Sequence, residues 1–217
     1  LLVLATGGDK NAGLARWVAL LGSLAGFVVS IPLFTGFQSL NGGMQFVEKA
    51  PWIASLNIHY YLGVDGISML FVVLNSFTTV MVVLAGWEVI QQRVAQYMAA
   101  FLIMSGLING AFAALDAILF YVFFEGILIP MFILIGVWGG QRRVYAAFKF
   151  FLYTLLGSVL MLLAIMALYL NAGTTDIPTL MTFEFSSEPM VVLGFTLAGG
   201  LQTLLFLAFF ASFAVKM

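Results

Sequence analysis

Six stretches of this chain run for twenty residues or more with almost no charge. Between Arg16 and Glu48 lie 31 uncharged residues, between Asp65 and Glu88 lie 22, and between Arg93 and Asp116 another 22. From Asp116 to Arg142 the only charge is Glu125; Lys149 to Asp176 brackets 26 uncharged residues and Glu188 to Lys216 brackets 27. A helix needs about 20 apolar residues to cross the roughly 30 Å hydrocarbon core of a bilayer. Only helices and closed barrels satisfy their own backbone there, and the alternating ten-residue segments of a barrel do not occur in this sequence. The chain therefore reads as an all-α, polytopic membrane helix bundle with spans near 15–36, 66–86, 96–115, 117–138, 148–170 and 190–217. Leu1–Thr6 reads as the tail of an earlier span. Residues 1–217 read as a single membrane domain and, because the pattern stops at Met217 with no polar cap, as a fragment of a larger protein. Composition agrees: 63% of residues are apolar and 8% charged, against about 25% charged in soluble domains. A net charge of −1 with no basic excess excludes nucleic-acid binding. The lack of cysteine excludes disulfides and Cys-ligated zinc or iron–sulfur centres.

The connections between spans alternate in charge. One side receives Lys10, Arg16, Arg93, Arg142, Arg143 and Lys149; the other receives Lys49 with Glu48, Asp65, Asp116, Asp176, Glu184 and Glu188. Six cations against one is a positive-inside bias. Asp9–Arg16, Trp87–Gln96 and Trp138–Lys149 are thus expected on the cytoplasmic or matrix side. Gln38–Gly66, the turn at Asp116 and Asn171–Pro189 are expected outside, as polar loops. Trp17, Trp87 and Trp138 fall at inner span ends, as interfacial anchors do.

Glu125 is the one carboxylate inside a span. It lies nine residues from Asp116, about 13 Å at 1.5 Å per residue, near the middle of the core. A charge there costs at least about 2.5–3.5 kcal/mol. Two readings stand: a neutral acid tying two helices by a hydrogen bond, or a proton or ion site. Pro130 has no N–H, so the carbonyl of Gly126 loses its helical donor, and Gly126 lets a second helix come close. Polar backbone thus lies beside Glu125, which a membrane helix tolerates where it meets protein or a wet cavity.

Lys216 also has two readings. On a straight helix from Met190 it would lie about 39 Å along, beyond the core, as a snorkelling anchor. On a helix beginning near Gly200, after the Gly199-Gly200 pair, it would lie about 24 Å in, still within hydrocarbon, with Ser212 one turn back on the same face. Asp65, in Gly63-Val64-Asp65-Gly66, reads as the N-cap of the helix that follows. His59 reads as structural. Arg142, Arg143 and Lys149 read as topology determinants, with Lys149 also a weaker candidate for proton uptake. One histidine, no Walker motif and no GxGxxG leave no redox-cofactor or nucleotide site in this chain.

Several runs carry a family resemblance. Phe123-Phe124-Glu125-Gly126-Ile127-Leu128-Ile129-Pro130-Met131-Phe132, followed by Gly136-Val137-Trp138-Gly139-Gly140, resembles the fifth helix of the subunit M (mitochondrial chain 4) family of antiporter-like, proton-pumping subunits of respiratory complex I, NADH:quinone oxidoreductase. Ala146-Ala147-Phe148-Lys149-Phe150-Phe151-Leu152-Tyr153-Thr154 resembles the start of that family's sixth helix. Gly63-Val64-Asp65-Gly66-Ile67-Ser68 resembles the approach to its third, and Phe209-Phe210-Ala211-Ser212-Phe213-Ala214-Val215-Lys216-Met217 its seventh. The resemblance implies a fold of about fourteen helices, of which this chain would hold roughly the first half. It implies that Glu125 and Lys216 form a Glu–Lys pair whose geometry governs protonation of the lysine, near a break in the last helix. It places further proton-path residues beyond Met217. NADH, FMN, iron–sulfur clusters and quinone would be held by partner subunits. Neighbouring antiporter-like subunits, other membrane and peripheral subunits, and the lipid bilayer would be the partners. The setting would be a bacterial or mitochondrial inner membrane. Phe124 stands where many relatives have tryptophan, with no consequence expected for the chemistry. The related alternatives are a subunit of a multi-subunit sodium/proton antiporter or of a membrane hydrogenase. The alternative of another class is a structural membrane subunit in which Glu125 stays neutral.

Overall fold

The structure, a computed structural model, describes residues 2–6, 11–40, 42–192 and 194–216. Leu1, Asp9, Lys10 and Met217, to which expectations were attached above, lie outside the described residues. Among the described residues, five helical segments are long and apolar enough to cross a membrane: α1 (Ala12–Thr35), α2 (Gly66–Val89), α3 (Val94–Ala113), the pair α4 (Ala117–Gly126) and α5 (Leu128–Trp138) in line, and α6 (Arg143–Ala172). A short α7 (Ile177–Thr182) follows, and then α8 (Gly200–Lys216), a 17-residue apolar helix. The chain is a multi-pass, all-α membrane bundle, as the charge-free runs require.

Helix starts follow local chemistry. Asp65 accepts hydrogen bonds from the amides of Ile67 and Ser68, while the Ser68 hydroxyl side chain accepts from the Asp65 amide, a complete capping box. Backbone donation from Ser68, against slight burial, holds the Asp65 carboxyl below the usual carboxylate range. Asp116 caps α4 through Ile118 and Leu119. At its far end α6 stops at Gly173, whose φ of 70° is open to glycine at little cost.

Two expectations change. Gln38–Gly66 is not only loop: β1 (Gln45–Ile53) and β2 (Ile58–Val64) form an antiparallel hairpin that turns through Asn57 at φ 54°. Nearly all of β1 is exposed, so no inward–outward alternation marked it. The span expected over 190–217 is also shorter. Met190–Val192 (β3) and Phe195–Leu197 (β4) pair as a hairpin, and helix begins only at Gly200, at φ 57°. A Cβ on Gly200 would meet the Glu188 carbonyl, so glycine is required where hairpin becomes helix. A short apolar run with valines has no periodicity that separates strand from buried helix. Leu4–Thr6 is a single 3-10 turn whose neighbour Val3 packs against Ala15 and Ala19 of α1.

The ends of the bundle sort the charges as the alternation demanded. At one end Arg16 donates to the Ile90 carbonyl at 2.9 Å, Trp138 Nε1 to the Gln92 carbonyl at 2.9 Å, and Trp17 meets Trp87 edge-on. At the other a clasp gathers three segments. The fully buried Asp116 carboxylate accepts from the His59 amide (3.1 Å) and the Thr175 hydroxyl (2.7 Å) besides its own helix. Next to it Lys49 pairs with Asp176 at 2.7 Å. Burial alone would raise the Asp176 carboxyl, but the Lys49 bond and two bonds from Thr179 outweigh it and hold it below the usual range. Between α2 and α3 a polar seam crosses the apolar interior: Asn75 donates to Asn109 (2.8 Å), Thr79 to Ser105 (2.7 Å) and Asn109 to Ser76 (3.2 Å). Such bonds hold membrane helices together where no hydrophobic contrast does.

Candidate functional site: an intramembrane ion pair

The α4–α5 span is interrupted at Ile127, three residues before Pro130. The Ile127 amide still reaches the Phe123 carbonyl at 3.2 Å, and α5 starts at Leu128. Pro130 has no N–H to give the Gly126 carbonyl, which ends α4 at the break. Gly126 sits at it, and a Cβ there would press on Leu107 of α3 at 3.2 Å. The site is built around this opening.

Lys216, at the end of α8, enters it. Its ammonium donates to the Phe124 carbonyl at 3.3 Å, lies 3.8 Å from Glu125 Oε1, and stands 3.3 Å from the centroid of the Phe124 ring. At 3.8 Å the carboxylate contact is an ion pair rather than a hydrogen bond, and Glu125 Oε1 is buried with no hydrogen-bond partner among the described residues. Both side chains are largely buried, 20% exposed for Lys216 and 18% for Glu125. Of the two readings for Lys216, the helix beginning at Gly200 is the one realised. Lys216 sits at the level of Glu125 rather than beyond the bundle. α8 is continuous from Gly200 to Lys216, and the discontinuity in this segment falls at Gly199-Gly200.

Packing explains how the lysine is delivered. Gly157 of α6 faces Val215, where an added Cβ would come within 2.9 Å, so α8 lies close against α6 one residue before Lys216. Phe120, Phe124, Phe209 and Phe213 form a run of ring contacts at 5.4–6.5 Å around the pair. One turn back from Lys216, Ser212 is fully buried with its hydroxyl unpartnered among the described residues. One turn before Glu125, the Tyr121 hydroxyl is within reach of Ser158 on α6.

The sequence-predicted residues divide cleanly. Glu125 and Lys216 are brought together from 91 positions apart in the chain. Lys149 is not: it is exposed near the start of α6, in an inner-end groove with Arg142, Tyr145 and Tyr153. Phe124, for which no chemical consequence was expected, supplies both a carbonyl and a ring to the ammonium. Its signal in the sequence was its place directly before Glu125.

Comparison with known proteins gives the same neighbourhood. Residues 114–217 match the family described as NADH:quinone oxidoreductase/Mrp antiporter, TM. The chain is 58% identical over 210 residues to NADH-quinone oxidoreductase subunit M of Rhodobacter capsulatus, covering 96% of this chain and 40% of that protein. It is 47% identical over 209 residues to NADH-ubiquinone oxidoreductase chain 4 of Arabidopsis thaliana, again covering 96% and 40%. Among solved structures it resembles a chain of respiratory complex I from Thermus thermophilus with bound NADH, with a TM-score of 0.78 and 30% identity over 93% of this chain and 39% of that one. It shares the fold of a chain of the Mrp complex from Dietzia sp., with a TM-score of 0.79 at 15% identity, over 99% of this chain and 23% of that one. The chain thus spans about two fifths of the length of the curated relatives it matches.

Proposed function

We propose, since this chain belongs to the NADH:quinone oxidoreductase/Mrp antiporter membrane family, that it is part of a proton-translocating membrane subunit of an NADH:quinone oxidoreductase, in which the Glu125–Lys216 pair is a switch on the proton path. The observation that carries the reading is the pair itself: two opposite charges on different helices, meeting at a helix break inside the apolar spans. Close together, carboxylate and ammonium stabilise each other's charged forms; drawn apart, the lone ammonium is penalised by burial and gives up its proton more readily. Moving one charge across the membrane involves about 2.3 kcal/mol per 100 mV, so a modest change in pair geometry is comparable with the transport work. The 3.8 Å spacing suits a switch, because no hydrogen bond locks the two groups together.

Redox chemistry, with its NADH, FMN, iron–sulfur clusters and quinone, belongs on this reading to partner subunits, and neighbouring antiporter-like subunits adjoin this one. The relatives at 58 and 47% identity are oxidoreductase subunits, while the Mrp likeness is one of fold. That difference supports this reading over a freestanding sodium/proton antiporter. The proton-uptake role expected for Lys149 rests on its position alone.

The test is proton pumping by the full-length protein in its complex, in membrane vesicles, with assembly followed by a substrate that reports only the peripheral arm. Glu125→Gln, nearly isosteric, is expected to abolish or strongly reduce pumping while assembly holds. Glu125→Asp keeps part of it, because the charge survives on a shorter stem. A neutral structural glutamic acid gives the opposite order, and parental pumping by Glu125→Gln would end the switch reading.

A further inference from the structure

α6 is 30 residues long, about 45 Å at 1.5 Å per residue, half as long again as the roughly 30 Å hydrocarbon core. Its first turns therefore stand at headgroup level, at the end of the bundle where Arg16, Arg93 and Trp138 lie. A groove of about 620 Å³ runs there, lined by Arg142, Tyr145, Ala146, Lys149, Phe150 and Tyr153. At 3.6 residues per turn, positions 142, 145, 149 and 153 fall within about 80° of arc, so cation, tyrosine, cation and tyrosine alternate down a single stripe. All four are exposed. The stripe then changes character without changing direction: Leu156, Leu160 and Leu163 continue the same arc, exposed by 70%, 41% and 55%.

The charges on this stripe are unanswered. Neither Arg142 nor Lys149, nor the adjoining Arg143, has an ion-pair partner among the described residues, and no acid lines the groove. Cations held beside hydrocarbon attract anions strongly, and the anions at this depth are lipid phosphates. Basic and hydroxyl groups above, with an apolar track below, reproduce the order of groups along a phospholipid.

We infer that this stripe binds an anionic phospholipid of the inner leaflet. The phosphate lies between the Arg142 guanidinium, which offers a paired set of N–H donors, and the Lys149 ammonium. The Tyr145 hydroxyl donates to it from the same side. An acyl chain follows Tyr153, Leu156, Leu160 and Leu163 toward the bilayer centre. Lys149 on this assignment anchors lipid, whatever part protons play at its end of the helix.

The test uses the full-length protein in its complex, reconstituted in nanodiscs of phosphatidylcholine doped with phosphatidylglycerol, then delipidated by detergent and weighed by native mass spectrometry. The parent should retain phosphatidylglycerol in preference to phosphatidylcholine. Combining Arg142→Gln with Lys149→Gln should cut that retention by roughly tenfold or more, and Tyr145→Phe should cut it less. Lys49→Gln, at the opposite end, should leave it unchanged. A photo-crosslinker at Leu160 should capture lipid. Equal phosphatidylglycerol retention by the double variant, no headgroup preference in the parent, or capture of protein at Leu160 would each overturn the assignment. So would a Lys149→Gln variant that loses pumping while retaining lipid like the parent. None of these readings depends on whether Glu125 and Lys216 act as a switch.

Discussion

The ring beneath Lys216 adds to the electrostatics that the carboxylate supplies. A cation over an aromatic face gains about 2 kcal/mol when desolvated, and here the ammonium stands 3.3 Å from the Phe124 centroid. Phe124→Leu removes the π-face while leaving the backbone carbonyl acceptor and the apolar volume in place. It should lower proton pumping several-fold in the full-length protein, and Phe124→Trp should restore it, because tryptophan offers the stronger face. Equal pumping by the leucine and tryptophan variants would show that the ring only fills space. The neighbouring lysine carries a complementary expectation. Lys216→Ala should impair pumping, whereas Lys216→Arg keeps part of it, measured in the same vesicles.

Among the elements, α8 and α4 depend on contacts with distant segments. α8 reaches its position only because α6 offers no side chain at Gly157. Gly157→Val would drive a branched side chain into Val215, already 2.9 Å from the Cβ position, with an overpacking cost of about 1–3 kcal/mol. Because Lys216 is the next residue, pumping should fall with it. Gly22→Val on α1, where a Cβ meets nothing within 4 Å, should pump like the parent; equal loss in both would trace the effect to folding in general. The clasp carries a pH prediction. The Asp176 carboxyl is held below its ordinary value of 3.8 by Lys49 and Thr179, so its stabilising share is fully present above about 4 and lost as pH falls through the lower folded value. Thermal unfolding in detergent should show the parent losing stability over that acid range. Asp176→Asn should start less stable at neutral pH and show a flatter acid limb; parallel curves would remove Asp176 from the account. The start of α2 was legible in the sequence, because Asp65 lies directly before an apolar run, while its end at Val89 lies three residues past the expected 86. Asp116 has the same local form, but its further donors, His59 and Thr175, come from segments 57 and 59 residues away. No local pattern could reveal those partners. The Glu125–Lys216 contact is of the same kind. Each residue was visible as a charge in an apolar run, but their pairing came from resemblance, since spacing says nothing about which helices touch.

For the whole molecule, the sorting of charges to opposite ends makes a single topological statement. Cysteines at Arg93→Cys and Asp176→Cys should react with impermeant reagents from opposite faces of sealed vesicles, Arg93 from the cytoplasmic or matrix side. Labelling of both from one face would refute the arrangement. The spans were legible because the insertion cost of a charge empties a membrane helix of Asp, Glu, Lys and Arg. The two hairpins were not, because hydropathy counts apolar residues without regard to backbone. The distance along the chain between Glu125 and its partner has a consequence for how the protein is made. The bond from Lys216 to the Phe124 carbonyl joins residues 92 positions apart. At about 5–20 residues per second, the ribosome produces the lysine roughly 5–18 s after the residues it will contact. During that interval the fourth charge-poor segment lies in the lipid with its glutamate unaccompanied. The apolar surplus of that span itself, the most apolar of the five, must carry the expense of insertion. Biosynthesis therefore asks more apolar surface of this span than the finished bundle needs, and weakening its hydropathy should reduce yield well before it alters a protein that has already assembled.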